Sequence, residues 1–138
     1  MRSLLVIITA TVLSAQFAAA SPQKDAVLKF YELRERTLDQ RGTANDVEKI
    51  ISLLADGATY QHPMASVTMT KAQARSGMLA HLREGRNARY SLHPARFERD
   101  FAVVEYVLDY TVEGKKIRRP GVATFEFISD KISRVTEY

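Results

Sequence analysis

The residues best suited to chemistry lie between Leu53 and Pro63, where an apolar helix end runs through Ala55-Asp56-Gly57-Ala58 into an extended piece, Thr59-Tyr60-Gln61-His62, closed by Pro63. This order puts one imidazole at a strand end, where a helix, a sheet edge and an enforced change of direction meet, and such junctions build pockets. An imidazole titrates near pH 6.5 when unperturbed, so His62 has the chemistry of a general base. The plainer alternative is a hydrogen-bonded ring at a strand end. Tyr60 and Tyr106 fall at strand alternation, where they either line a cavity or fill a core. Asp109 is a weaker acid/base candidate and reads more simply as a solvated sheet position. His81 and His93 show no ligand spacing with His62 or with each other, so neither a metal site nor a cofactor is expected. No Gly-rich phosphate loop, Ser nucleophile elbow or cysteine nucleophile is present.

The elements that must position these residues begin after an N-terminal leader. Met1-Arg2 supplies a positive start, Leu4 to Leu13 is an apolar run without charge, and Ala18-Ala19-Ala20 ends in the small residues a signal peptidase needs. Residues 1–20 are therefore expected to be a signal peptide cleaved before Ser21, leaving one exported domain over 21–138, periplasmic or secreted. The run is far short of the roughly 20 residues that span a bilayer, so no membrane association is expected after cleavage. The chain contains no cysteine, and an exported domain without disulfides relies on its core. The formal net charge of +4 falls to +3 when Arg2 leaves with the leader. That is too mild to imply nucleic acid or a membrane surface as partner. The basic cluster Lys115, Lys116, Arg118 and Arg119 reads as a solvated hairpin tip.

From Asp25, Val27, Phe30, Tyr31, Leu33 and Leu38 follow a helical period, with Lys29, Glu32, Arg34, Glu35 and Arg36 assigned to the solvated side. A second helix is expected to be capped by Asn45 with Glu48, to bury Val47, Ile50, Ile51 and Leu54, and to stop at a left-handed Gly57. Thr70 and Gln73 repeat the capping spacing before a third helix that turns Met78, Leu79 and Leu82 inward and ends at Gly85. Thereafter the period becomes 2. Arg89 to Arg99 reads as a strand bent at Pro94, and Ala102, Val104, Tyr106, Leu108, Tyr110 and Val112 share one face of a long strand. Glu113-Gly114-Lys115 makes a hairpin turn, a strand runs to Ile128 with Ala123, Phe125 and Phe127 on one side, and Ile132 to Tyr138 closes the chain. Three helices followed by hairpin-linked strands argue for an α+β domain with the helices on one side of an antiparallel sheet.

The order of these elements, the run Leu54 to Pro63, the closing Phe125-Glu126-Phe127 with Lys131-Ile132, and the terminal Tyr138 resemble the NTF2-like superfamily, and within it the SnoaL-like and ketosteroid isomerase-like branch. The resemblance covers roughly Gln23 to Tyr138. It implies a cone: a curved antiparallel sheet packed against three helices around a small-molecule pocket. It also implies a base at His62, a hydroxyl donor at Tyr31, and a third polar position that falls at Pro120, which has no donor. A shift of two residues would bring Arg118 to the pocket instead, where an Arg suits a carboxylate-bearing or enolising substrate. The expected function is an exported isomerase or dehydratase acting on a small apolar or carbonyl-bearing molecule, with Tyr60, Tyr106 and Arg118 at the ligand. The rival expectation is a non-catalytic binding module that forms a homodimer through the outer sheet face at Val103, Glu105, Val107 and Asp109.

Overall fold

The computed structural model describes residues 21–138, so the expected leader over residues 1–20 lies outside the described residues. Helix α1 spans Pro22–Thr37 and starts before the expected Asp25, because the Ser21 side chain accepts the Lys24 N–H at 3.1 Å and Pro22 suits the first turn. Helix α2 spans Ala44–Leu53. Its cap is Thr43 with Asp46, not Asn45 with Glu48: the Thr43 N–H and hydroxyl both reach Asp46 at 3.0 Å, and Arg36 adds a charge contact at 3.3 Å. Burial alone raises the Asp46 pKa, yet the bonds from Thr43 and the Arg36 charge prevail and hold it below the usual carboxylate range. Glu48 is taken by Arg75 of the third helix instead.

Gly57 does not stop α2. The chain turns extended at Leu54 and enters strand β1, Leu54–His62, directly. Gly57 lies within β1, where the register shifts between Leu54 and Thr59, and this local irregularity lets the strand follow the helix without a separate turn. A 3-10 turn at Pro63–Ala65 leads to β2, Val67–Thr70, and then to α3, Lys71–His81, whose Thr70 and Gln73 form the expected capping box. The remaining strands are β3 (Arg89–Leu92), β4 (Arg96–Glu98), β5 (Phe101–Val112), β6 (Lys115–Ile128) and β7 (Lys131–Glu137). Between β5 and β6, Glu113 and Gly114 both take positive φ, 48° and 76°, as a tight hairpin turn requires.

The strands form one curved, unclosed seven-stranded sheet in the order β2-β1-β7-β6-β5-β3, with β4 also on β5. It is mixed, not purely antiparallel, because β1 and β7 run parallel. Helix α1 packs on β7 and β3, and α3 on β1 and β2. The core between helices and sheet centres on Phe30, Phe125, Ile132, Val104 and Val135, all fully buried. Phe30 and Phe125 meet edge to face at 5.3 Å, a favoured aromatic geometry. Gly121 is paired with Tyr106, and a Cβ there would stand 2.5 Å from the Tyr106 ring, so its missing side chain is what admits that aromatic.

Candidate active site

Alternation along β1 turns Ala58 and Tyr60 into the core, and His62 follows on the same face. Strand β7 does the same with Val135 and Glu137. The parallel register Tyr60 to Val135 and Gln61 to Thr136 brings Glu137 level with His62. One carboxylate oxygen of Glu137 accepts the Tyr60 hydroxyl at 2.6 Å, and the other lies 3.7 Å from His62 Nδ1. The Glu137 side chain is 12% exposed and the imidazole 36%. Burial first, then the Glu137 charge, raises the Tyr60 pKa far above its usual value, so this hydroxyl stays a donor.

A cavity of about 290 Å³ opens beside this pair, lined by Tyr60, His62, Met69, Met78, His81 and Arg34 among others. This is at the small end of the volumes that ligand sites occupy. Arg34 belongs to α1 and does not lie on its solvated side: it is 7% exposed, one turn from the buried Phe30 and Tyr31. Its guanidinium donates to Thr37 Oγ1 at 3.4 Å, and its Nε has no partner among the described residues. Burial works against its charge, but the oxygens of Tyr60 and Tyr90 and the Glu137 carboxylate favour it and prevail. A buried charge without a hydrogen-bonded counter-ion is expensive in folding, so such a group points to a site. His81, at the end of α3, also has a buried ring nitrogen, Nδ1, without a partner among the described residues. Burial, then the positive charge of Arg34, lowers its pKa below the ordinary imidazole value, which keeps the ring neutral near pH 7.

Of the residues expected from sequence, His62 and Tyr60 are brought together at this cavity. Tyr106 is not among its lining: it is buried in an aromatic cluster, 5.7 Å from Tyr31 and 5.5 Å from Tyr90 between ring centroids. Tyr31 is buried in the same cluster and borders a different depression, of about 520 Å³, between α1 and β3. Much of that depression's charge is paired internally, as in Arg89 with Glu35 at 2.6 Å. Arg118 does not reach the cavity in either register. It pairs with Asp109 on the outer sheet face, 3.5 Å between charged groups, and Pro120 shares that face, because the inward positions of β6 alternate through Gly121, Ala123 and Phe125. Arg34 and His81 at the cavity, and Glu137 beside His62, were not expected from the sequence. The signal for each was its spacing from a core neighbour: Arg34 from Phe30, Glu137 from Val135, and His81 from Met78.

The Tyr31 hydroxyl is buried without a partner among the described residues. Burial, then Glu137, drives its pKa upward, so it remains a neutral phenol. An unpaired buried hydroxyl is destabilising. Tyr31→Phe is therefore expected to raise the unfolding free energy by about 1 kcal/mol, read from urea denaturation. A fall in stability would show that this hydroxyl has a partner.

The sheet, the three helices and the side cavity define an NTF2-like domain. Residues 25–135 match the SnoaL-like domain, and the chain belongs to that family. No curated relative matches the sequence. Among solved structures, one from Catenulispora acidiphila with a ketosteroid isomerase-like fold, in complex with trimethylamine, is similar at 18% identity and TM-score 0.68, over 83% of this chain and 84% of that one. TerC, co-crystallised with polyporic acid, is similar at 20% identity and TM-score 0.68, over 86% and 91%. An LEH-like epoxide hydrolase from M. tuberculosis is similar at 14% identity and TM-score 0.65, over 85% and 81%.

Proposed function

We propose that this domain is a small-molecule isomerase or dehydratase in which His62 moves a proton next to a carbonyl, or assists loss of water. The observation that carries the reading is Glu137: a mostly buried carboxylate, fixed by Tyr60 on one oxygen and turned to His62 with the other. A carboxylate facing Nδ1 favours the tautomer with its proton there and leaves Nε2 free as the base, while stabilising the imidazolium that forms. Catalytic hydrogen bonds are often long before substrate binds, so the 3.7 Å separation suits a pair that tightens on binding. Relatives of the same fold that hold small ligands, and one that is an epoxide hydrolase, make a small organic substrate the natural class. The test is deuterium exchange at carbon in D2O, followed by NMR over a panel of small ketones and β-hydroxy ketones. Exchange accelerated by wild type and lost in His62→Ala supports the assignment; equal rates for the two proteins end it.

The proposal includes export and self-association. The small-residue end of the leader falls immediately before Ser21, which caps α1, so cleavage there would leave that cap intact. N-terminal sequencing of the secreted or periplasmic protein is expected to begin at Ser21, and a retained leader would refute export by this route. The outer sheet face shows Phe101 at 38% and Val122 at 37% exposure beside the half-buried Val103 and Val107. A face of that composition fits a homodimer interface better than open water. Light scattering at micromolar concentration is expected to give twice the chain mass, and a monomer mass would refute it.

A further inference from the structure

We propose that the cavity beside His62 takes a ligand bearing a carboxylate, whose oxygens accept from the Arg34 guanidinium and the His81 ring. The proposal deepens the proton-transfer reading and rests on it for the identity of the site. Arg34 and His81, on different helices, both line this cavity, and each carries a buried nitrogen, Nε and Nδ1, without a partner among the described residues. One side chain carries a charge, and the other is an imidazole, which when neutral donates from one of its two nitrogens. Buried polar groups are nearly always paired in folded proteins, so two side chains with an unpaired nitrogen at one hollow point to an acceptor brought from outside. No carboxylate of the described residues stands within 4.0 Å of Arg34: Glu137, the nearest candidate by its influence, is held by Tyr60 and faces His62. The Nε edge of a guanidinium is suited to carboxylate geometry, a match that a lysine or a water molecule does not supply.

The rest of the lining limits the ligand further. Val67, Met69, Ala74 and Met78 are apolar, so the body of the molecule is hydrophobic. At the roughly 30 Å³ that one water occupies in the liquid, a hollow of about 290 Å³ admits on the order of ten non-hydrogen atoms. Glu137 repels a second anion. The ligand's carboxylate is thereby kept toward Arg34 and His81, and its carbon skeleton is left against His62. A short aryl or alkyl carboxylic acid with an activated carbon beside the acid group meets all these conditions.

The probes are phenylacetate and its neutral counterpart phenylacetamide, titrated calorimetrically into wild type, His62→Ala and Arg34→Gln. Phenylacetate is expected to bind about tenfold or more tightly than the amide in wild type and in His62→Ala, and the preference is expected to vanish in Arg34→Gln. Because Arg34→Gln alters a buried position, a second measurement uses wild type alone: the Arg34 Nε–H resonance in a ¹⁵N NMR spectrum shifts with phenylacetate and not with phenylacetamide. Equal affinities for acid and amide, or no binding of the acid up to about 10 mM, overturn the proposal. The two readings fail separately. Exchange on neutral ketones without carboxylate binding leaves the proton-transfer role and removes the anion site, whereas carboxylate binding without any exchange does the reverse.

Discussion

His62→Ala is expected to lower the rate of carbon–hydrogen exchange by about 10²- to 10⁴-fold, the span that a positioned general base contributes. The loss should fall on kcat with little change in KM, because a ring at the cavity edge, 36% exposed, contributes less to holding the ligand than to taking its proton. Added free imidazole should restore part of the activity, since the excised ring leaves space next to an open cavity. Glu137→Gln tests the positioning role separately. The amide oxygen can still accept from Tyr60, so the fold is kept, but the charge that steadies an imidazolium is gone. kcat should then fall, by less than in His62→Ala. An unchanged kcat in Glu137→Gln would assign that carboxylate to structure alone.

Local signals in the sequence were read correctly where the physics was local. Thr70 and Gln73 cap α3, Glu113-Gly114 turns the β5–β6 hairpin, and the alternation from Ala102 to Tyr106 lies on the buried face. The place of His62 at a cavity was legible for the same reason, being two residues from an inward Tyr60 and just ahead of a proline. The cap of α2 was misread because Thr43 and Asp46 offer the same spacing as Asn45 and Glu48, and the choice depends on Arg36 and Arg75 from other helices. The parallel pairing of β1 with β7 was out of reach, since it joins segments far apart in the chain with no hairpin to announce it. Glu137 was lost with it, for only that register sets a carboxylate beside His62. Arg34 is a different failure. It stands one turn from Phe30 and Tyr31, a spacing that turns it inward although its charge favours the solvated side. Arg118 was expected at the ligand only through a slip of two residues from Pro120, and the pairing with Asp109 puts both positions on the outer face. The Arg that lines the cavity is Arg34 of the first helix.

Phe125→Ala is expected to lower the unfolding free energy by about 3–5 kcal/mol, the usual cost of emptying a large aromatic position in a packed core. Phe125 is fully buried, meets Phe30 at 5.3 Å and Tyr31 at 5.8 Å, and is paired with Ala102 on one side and Val135 on the other. The surrounding strands cannot close over the hole without breaking those registers. The urea midpoint should drop with an unchanged slope, which would mark a loss of stability and not a change in the surface exposed on unfolding. The effect should reach the site as well. Val135 precedes Glu137 on the same face of β7, so loosening its neighbour loosens the carboxylate that His62 depends on, and exchange activity at a temperature where the variant is still folded should fall. Phe125→Leu fills more of the space and should lose less of both. A stability loss under about 1 kcal/mol in Phe125→Ala would mean that the core is plastic at this layer. A plastic core could not hold an imidazole and a carboxylate in register, and the catalytic geometry inferred for His62 and Glu137 would lose its support.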